Sequence, residues 1–287
     1  MKMESLSNAG VTAEIIKKYG FSFRKRFGQN FLIDGHVLDK IADAALVEKN
    51  DGVIEIGPGI GTMTQMLCRR AAKVVAIEID RDLIPILNDT LSGFDNVKII
   101  NADVMKTDMA ALIREEFAQM NVRVVANLPY YITTPIIMNL LESRLGIKSI
   151  TVMVQKEVAE RMQAKPGTKD YGALSLAVQF YADTYIAANV PPNCFMPRPK
   201  VGSCVIRLCV KDSPQVEVKD ERHMFALIRA AFNQRRKMLT NAIVNDPSLA
   251  HTKEEVTLAL ESMDLNATVR GESLDLQQFA ALSNILT

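Results

Sequence analysis

The chain contains 287 residues, of which 48% are hydrophobic and 23% charged, enough for one large domain or a domain with a smaller companion. Its longest apolar runs have five residues, whereas a membrane-spanning helix needs roughly 20. The first residues lack the apolar stretch of a secretory signal, and the four cysteines form no CxxC pair. We therefore expect a cytoplasmic protein with no membrane segment, disulfide framework or metal site.

The charge is unevenly distributed along the chain, although the formal net charge is only +1. Residues 1–30 carry six Lys and Arg against two Glu, a net of +4, and residues 195–240 carry ten against four acidic residues, a net of +6. The remainder therefore has a net charge of −9. Two basic segments on a nearly neutral chain are typical of a phosphate-binding face, but solvated helices give the same pattern. Charge alone leaves both interpretations open.

Short apolar runs rich in β-branched residues alternate with segments of helical spacing from about residue 34 to residue 210. Strands are predicted at residues 53–56, 74–79, 97–100, 122–126, 150–154 and 205–210. Helical spacing between them is seen, for example, at residues 63–68 and 136–141. This alternation predicts an α/β fold with a mostly parallel, doubly wound sheet, in which ligands bind beyond the carboxyl ends of the strands.

The pattern changes after residue 210. Residues 211–214, with the sequence KDSP, indicate a linker, and helices are predicted around residues 225–232 and at Lys253–Ser262 and Leu276–Leu286. We therefore divide the chain into a first domain at residues 1–210 and a small all-helical C-terminal domain at residues 211–287.

A glycine-rich loop, EIGPGIGT at residues 55–62, follows the first predicted strand. It matches neither the GxGxxG fingerprint nor a P-loop, but Gly57 and Gly59 let the backbone turn tightly and approach a ligand. Glu78, 21 residues after Gly57, ends the second strand where an acid can bind a ribose diol. The pattern favours a nucleoside cofactor, either NAD or S-adenosylmethionine. Asp103, after the third strand, is suited to an adenine amine or to capping a turn.

The fourth predicted strand runs into NLPY at residues 127–130, the most informative motif of the chain. An exocyclic adenine amine is a poor nucleophile because its lone pair is delocalised into the ring. Two acceptors on its N–H groups would direct that lone pair toward an electrophile, and the side-chain oxygen of Asn127 with the carbonyl of Leu128 or Pro129 can serve as this pair. Tyr130 offers a ring for base stacking.

Three further segments are each open to two interpretations. FMPRPKV at residues 195–201 places an aromatic ring beside two cations, which suits an extruded nucleotide or a generic proline loop. FNQRRKML at residues 232–239 has three consecutive cations, of which a helix can direct only one or two at one phosphate row. FGQNFL at residues 27–32 suits capture of an amino-acid end or turn formation.

Seven motifs in this order resemble the ribosomal RNA adenine N6,N6-dimethyltransferase family, and most closely its bacterial small-subunit (16S) branch. They are GQNFL at 28–32, EIGPGIGT at 55–62, EID at 78–80, NAD at 101–103, NLPY at 127–130, FMPRPKV at 195–201 and FNQRRKML at 232–239. The resemblance implies a Rossmann-like, S-adenosylmethionine-dependent methyltransferase domain with a basic N-terminal extension and a helical tail. It further implies a monomer that transfers two methyl groups to N6 of each of two adjacent adenosines near the 3′ end of 16S rRNA, within an immature small ribosomal subunit. Tyr131 departs from the family, since some members have Asn there.

The resemblance also assigns roles to residues of this chain. It implies cofactor contacts from the loop, strand-end and N-terminal positions, which are Gln29, Asn30, Leu32, Gly57, Gly59, Glu78, Asp103 and Asn127. It implies a catalytic set of Asn127, Leu128, Pro129, Tyr130 and Phe195, with the two rings enclosing the target base. The expected RNA-binding cations are Arg24, Lys25, Arg26, Arg198, Lys200, Arg235, Arg236 and Lys237.

Other functions stay open at this point. A 23S rRNA adenine methyltransferase of the same superfamily is the nearest alternative. A DNA adenine methyltransferase shares the Asn-Pro turn but usually carries a larger recognition region. An assembly factor whose catalysis is dispensable is a third alternative. An NAD dehydrogenase is disfavoured because no catalytic His or Tyr-xxx-Lys follows the core strands.

Overall fold

The computed structural model describes residues 6–287, apart from the side chain of Lys25. Lys2 and Glu4, which belong to the first basic segment, lie outside the described residues. The strands are β1 (Phe31–Leu32), β2 (Gly52–Ile56), β3 (Lys73–Glu78), β4 (Val97–Asn101), β5 (Val122–Asn127), β6 (Ile147–Gln155), β7 (Ala182–Val190), β8 (Phe195–Met196) and β9 (Ser203–Val210). The helices are α1 (Ala9–Lys18), α2 (Gly35–Ala45), α3 (Thr62–Arg70), α4 (Ile84–Thr90), α5 (Met109–Phe117), α6 (Thr133–Glu142), α7 (Lys156–Gln163), α8 (Ala173–Tyr181), α9 (Glu221–Asn233), α10 (Leu239–Val244), α11 (Lys253–Ser262) and α12 (Leu276–Leu286).

Seven strands form the main sheet, in the order β4-β3-β2-β5-β6-β9-β7. The pairs from β4 to β6 are parallel, and β9 runs antiparallel to β6. The α/β fold with a mostly parallel sheet is thus confirmed, and each predicted apolar run is a strand. Sequence reasoning missed β7 and the small antiparallel pair β1–β8, in which Leu32 lies opposite Phe195. Two-residue strands carry no periodicity, because they exist only through pairing with each other.

The order of the strands explains where a ligand can bind. From β2 the chain proceeds outward through β3 to β4, and it then returns to place β5 on the other side of β2. The direction of winding therefore reverses between β2 and β5. Because crossovers between parallel strands are right-handed, the loops after these two strands diverge and leave a crevice at their carboxyl ends.

The central strands are buried on both faces, which is why they read as continuous apolar runs. Val53, Val74 and Val125 have no exposed surface, and they belong to one cluster with Leu67 of α3 and with Leu32. Full burial of side chains of this size stabilises the fold by roughly 1.5–3 kcal/mol each. The apolar cluster holds the strand ends, and hence the crevice, in fixed positions.

Capping residues determine where the helices begin. Asp34 accepts hydrogen bonds from two backbone N–H groups at the start of α2, and Asp220 does so for α9. Thr252 and Asp275 form capping boxes at α11 and α12, and such caps are worth about 1 kcal/mol. The predicted bounds of these last two helices are confirmed, because the caps lie in the local sequence.

The chain forms two compact units. One extends to residue 159 and resumes at residues 184–210, and the other comprises residues 160–183 and 211–287. Within the second unit, the Tyr171 hydroxyl donates to the carbonyl of Leu274 at 2.8 Å, and Phe180 meets Phe225 edge to face. The division of the chain into domains at residue 210 stays a prediction. Residues 160–183 pack with the C-terminal helices, and local sequence patterns do not reveal such contacts between distant segments. Among the described residues, no helix is long and apolar enough to cross a bilayer.

Candidate active site at the carboxyl edge of the sheet

A cleft opens beyond the carboxyl ends of β2, β3, β4 and β5, at the reversal of winding. It has an empty volume of about 1090 Å³, including the part open to solvent. The predicted cofactor residues all line it, as do the four residues of the NLPY motif; these are Gln29, Asn30, Leu32, Gly57, Gly59, Glu78, Asp103, Asn127, Leu128, Pro129 and Tyr130. Residues from separate segments of the chain thus meet at one place, as the parallel strand order requires.

The glycine loop forms one wall of the cleft. Gly57 donates its N–H to the carbonyl of Ile77 at 3.0 Å, which ties the loop to β3. Gly59 has φ +62°, and a Cβ atom there would lie 3.1 Å from ring carbons of Phe31. Both the backbone angle and the space therefore require glycine at position 59. The loop ends at Gly61, after which α3 presents its N-terminal N–H groups.

Glu78 lies at the end of β3 and is held in place by backbone donors. Its carboxylate accepts hydrogen bonds from Asp80 N at 2.8 Å and from Gly59 N at 3.4 Å. Burial nevertheless raises the pKa of Glu78 to about 7, because the charged form loses water. An acceptor that is buried, oriented and adjacent to the glycine loop suits a ribose diol.

Glu55 is a cleft residue to which the sequence motifs assigned no role. It is fully buried in β2, and neither of its carboxylate oxygens has a hydrogen-bond partner among the described residues. Burial, with repulsion from Glu78, raises the pKa of Glu55 to about 8, although the nearby Thr64 hydroxyl opposes the shift. The carboxyl is therefore mostly protonated at neutral pH, which avoids the cost of a buried charge. Its place before the glycine loop was visible in the sequence, but its full burial was not.

Asp103 combines the two roles that the sequence left open. One carboxylate oxygen accepts a hydrogen bond from Met105 N at 3.0 Å and caps a short 3₁₀ turn. The residue also lines the cleft. A carboxylate has a second oxygen, and the turn fixes its position.

The segment before β1 closes the cleft from another side. Gln29 donates to the carboxylate of Asp80 at 2.8 Å, and its amide oxygen accepts from Arg24 N at 2.8 Å. Both polar ends of Gln29 are therefore used to hold the loop. The Asn30 side chain donates to the carbonyl of Gly28 at 3.0 Å, and Leu32 pairs with β8.

Asn127 stands at the end of β5, where the two walls meet. Its amide nitrogen donates to the backbone carbonyl of Asn30 at 2.9 Å. Since only the NH₂ end can donate, this bond directs the Asn127 side-chain oxygen away from Asn30, where it can accept a hydrogen bond. The Pro129 carbonyl already accepts from Ile132 N at 3.2 Å and from the Thr133 hydroxyl at 3.0 Å. Of the two carbonyls considered, that of Leu128 is therefore the better second acceptor.

The two aromatic rings predicted to enclose a base lie in different environments. Tyr130 lines the cleft, half-buried, with its hydroxyl 2.7 Å from the Ser203 hydroxyl, and burial raises the pKa of Tyr130. Phe195 does not line the cleft; it is 3% exposed and belongs to the buried cluster of Leu32. Pairing of β8 with β1 draws the Phe195 ring into the core. Its stacking role stays a prediction that this placement does not favour.

The N-terminal cations also differ from one another. The Arg24 guanidinium pairs with the carboxylates of Asp80 and Asp82 and so helps to hold the loop, although 33% of its side chain is exposed. Arg26 is exposed, and its guanidinium lies over the Phe27 ring at 4.6 Å. The side chain of Lys25 lies outside the described part of the chain.

The remaining predicted RNA-binding cations also differ, since some are exposed and one is held in an ion pair. Arg198 and Lys200 are exposed, as are Arg236 and Lys237 in the second unit. Arg235 instead pairs with Glu272 at 2.7 Å and donates to two backbone carbonyls. The three consecutive cations do not lie on a helix, as the sequence reasoning assumed, but in a turn and bend that follow the end of α9 at Asn233. Their contact with RNA stays a prediction.

The sequence of the chain matches a known protein family. The family model described as "Ribosomal RNA adenine dimethylase" matches residues 20–287. The chain belongs to this family. Among curated relatives of this dimethylase, the "Ribosomal RNA small subunit methyltransferase A" of Lachnoclostridium phytofermentans is 59% identical over 285 residues, covering 99% of this chain and 98% of the relative. The protein of the same description from Geobacillus thermodenitrificans is 54% identical, covering 99% and 97%.

Solved structures agree with the fold of the dimethylase. A dimethyladenosine transferase from Plasmodium falciparum superposes with a TM-score of 0.75 and 28% identity, covering 88% of this chain and 95% of that one. The 23S rRNA methyltransferase ErmE superposes with a TM-score of 0.68 and 25% identity, covering 90% and 99%. Both comparisons cover most of the chain, and the resemblance stated from the motifs is confirmed at the level of the family.

Proposed function

We propose that this dimethylase transfers two methyl groups from S-adenosylmethionine to N6 of each of two adjacent adenosines near the 3′ end of 16S rRNA. The proposed substrate is an immature small ribosomal subunit, and the proposed working form is a cytoplasmic monomer. One observation carries the proposal. At the end of β5, the Asn127 side-chain oxygen and the Leu128 carbonyl are two acceptors beside a cleft that suits a nucleoside cofactor.

The residues of the cleft fit S-adenosylmethionine. Glu78 is a buried acceptor for ribose hydroxyls, and Asp103 has a carboxylate oxygen beyond the one that caps its turn. When bound, the cofactor supplies a methyl group on a sulfonium, which needs in-line approach more than a strong base.

The acceptors at the end of β5 would orient the target amine. Hydrogen bonds from an adenine N6 amine to Asn127 and Leu128 would hold the nitrogen with its lone pair toward the glycine loop. The loop is close, since a Cβ atom on Gly57 would lie 4.0 Å from the Asn127 carbonyl oxygen. Orientation and exclusion of water can contribute several kcal/mol to the lowering of the barrier. No general base is needed, because the amine proton becomes acidic as the nitrogen is alkylated.

The choice of RNA as substrate rests on the family description and on the relatives' names, which specify the small subunit. An adenine stacked in a helix cannot reach the cleft, so the target base must be flipped or already unpaired. Tyr130 offers its ring at the cleft for such a base.

The test is incubation with labelled S-adenosylmethionine and three substrates: undermethylated 30S particles, 50S particles and DNA. We expect label in the 30S arm alone, recovered as N6,N6-dimethyladenosine after nuclease digestion. Label in 50S particles would instead favour a 23S rRNA methyltransferase, and label in DNA would favour a DNA methyltransferase. Gel filtration with light scattering tests the proposed monomer.

A further inference from the structure

Tyr131 is the most exposed of the large hydrophobic side chains in the described residues, at 61%. It follows the NLPY motif directly and lines the mouth of the cleft. Neither cofactor binding nor amine orientation, as proposed above, uses it. A single exposed ring is ordinary on a protein surface, and what distinguishes Tyr131 is its place at the cleft.

The ring of Tyr131 is supported by neighbouring backbone. Gly28 has φ +58°, and a Cβ atom there would lie 3.4 Å from both the Tyr131 ring and the Pro129 side chain. The glycine therefore lets the loop before β1 pack directly against the tyrosine. A ring that is packed on one side and exposed on the other is a preorganised surface, which costs little entropy to use.

A cation lies near the same opening. Phe27 lines the cleft, and the guanidinium of the exposed Arg26 lies over its ring at 4.6 Å. Aromatic rings interleaved with arginine are typical of surfaces that hold unpaired nucleotides, where rings stack on bases and cations contact phosphates.

We infer that Tyr131 stacks on the nucleotide next to the target adenine, while Arg26 contacts the adjoining phosphate. The inference rests on the proposed function. Extrusion of one adenine removes a stacking partner from its neighbour, and a fixed ring at the cleft mouth replaces that partner. With two adjacent target adenosines, each serves as the stacked neighbour while the other is methylated.

The experiment compares Tyr131→Ala and Tyr131→Phe with a matched control, Tyr185→Ala. Tyr185 is also an exposed tyrosine, at 53%, with the Arg207 guanidinium 5.1 Å from its ring, but it does not line the cleft. We expect kcat/KM for undermethylated 30S particles to fall about tenfold or more in Tyr131→Ala, the size of one lost base stack. Tyr131→Phe and Tyr185→Ala should retain the wild-type value. Binding of S-adenosylhomocysteine, measured by calorimetry, should be unchanged in all three variants.

A second measurement identifies the stacked partner. In reconstituted 30S particles with one of the two adenosines replaced by uridine, the remaining target has a smaller neighbour. The difference between wild type and Tyr131→Ala should shrink on these particles if the ring stacks on that neighbour. The inference is overturned if Tyr131→Ala methylates 30S particles like wild type, if its defect lies in S-adenosylhomocysteine binding, or if the uridine substitution leaves the difference unchanged. Failure of wild type to methylate 30S particles would instead overturn the proposed function.

Discussion

The amide nitrogen of Asn127 donates a hydrogen bond to the backbone carbonyl of Asn30 at 2.9 Å, across 97 positions of sequence. The bond joins the end of β5 to the loop before β1, and residues of both segments line the cleft. It also determines which end of the asparagine amide stays free, because only the oxygen remains as an acceptor. The side chain of Asn127 is thus oriented by a backbone carbonyl from a segment that is distant in sequence.

Replacing Asn127 by Ala should lower the rate of methyl transfer by about 100-fold or more, the effect of losing one preorganised polar group at a reacting atom. Single-turnover methylation of 30S particles measures this rate. The matched control is Asn139→Ala, which removes an asparagine of α6 that does not line the cleft and should leave the rate unchanged. A full methylation rate in Asn127→Ala would remove this residue from the mechanism.

Replacing Glu55 by Gln should stabilise the protein at alkaline pH. The pKa of Glu55 is raised from 4.5 to about 8 in the folded state, so the folded protein binds the proton more tightly than the unfolded chain does. Its free energy of unfolding therefore decreases as the pH rises from about 4.5 to about 8 and is constant above that. The Gln variant lacks this loss and should be more stable than wild type by a few kcal/mol at pH 8.5, but nearly equal at pH 5.

Urea unfolding at pH 5 and pH 8.5 measures both values. Glu115→Gln, at an exposed position of α5, is the control and should leave stability unchanged within about 0.5 kcal/mol at each pH. Equal stability of Glu55→Gln and wild type at pH 8.5 would contradict the raised pKa of this carboxyl.

Replacing Gly59 by Ala should weaken cofactor binding. The new Cβ atom would lie 3.1 Å from the Phe31 ring at a φ of +62°, so the loop must shift and its N–H must leave Glu78. The dissociation constant of S-adenosylhomocysteine should rise about tenfold or more.

The control for this change is Gly146→Ala. Gly146 has φ +71° but open space around a Cβ atom. Both variants should lose about 1–2 kcal/mol of stability through backbone strain, while only Gly59→Ala should lose affinity, as calorimetry would show. Equal affinity in the two variants would mean that the loop does not contact the cofactor.

Replacing Arg235 or Arg236 by Ala should have different effects on stability and on rRNA binding. Arg236 is exposed, so Arg236→Ala should keep the stability of the protein within about 0.5 kcal/mol and reduce the salt dependence of rRNA binding by about one ion. Arg235 pairs with Glu272 and donates to the Thr168 and Lys169 carbonyls, so Arg235→Ala should cost about 1–3 kcal/mol of stability. Filter binding at several salt concentrations and urea unfolding measure the two effects. The reverse pattern would mean that Arg235 is the RNA contact.

Features that depend on residues close together in the sequence could be predicted from the sequence alone. The central strands, the bounds of α11 and α12 and the glycine loop follow from local apolar runs, caps and turns, because these act within a few residues. The meeting of Gly57 and Asn127 at one edge also follows, since parallel strands end on the same side of their sheet.

Features that depend on which distant groups become neighbours required the folded chain. Nothing in the sequence distinguishes Arg24 and Arg235 from other cations, yet each forms an ion pair with a carboxylate that is distant in sequence. Pairing of β8 with β1 likewise buries Phe195. Glu55 looks like any strand-end acid, and its raised pKa arises mainly from burial, with repulsion from Glu78. Burial and long-range hydrogen bonding depend on three-dimensional proximity, which residue type and spacing along the chain do not specify.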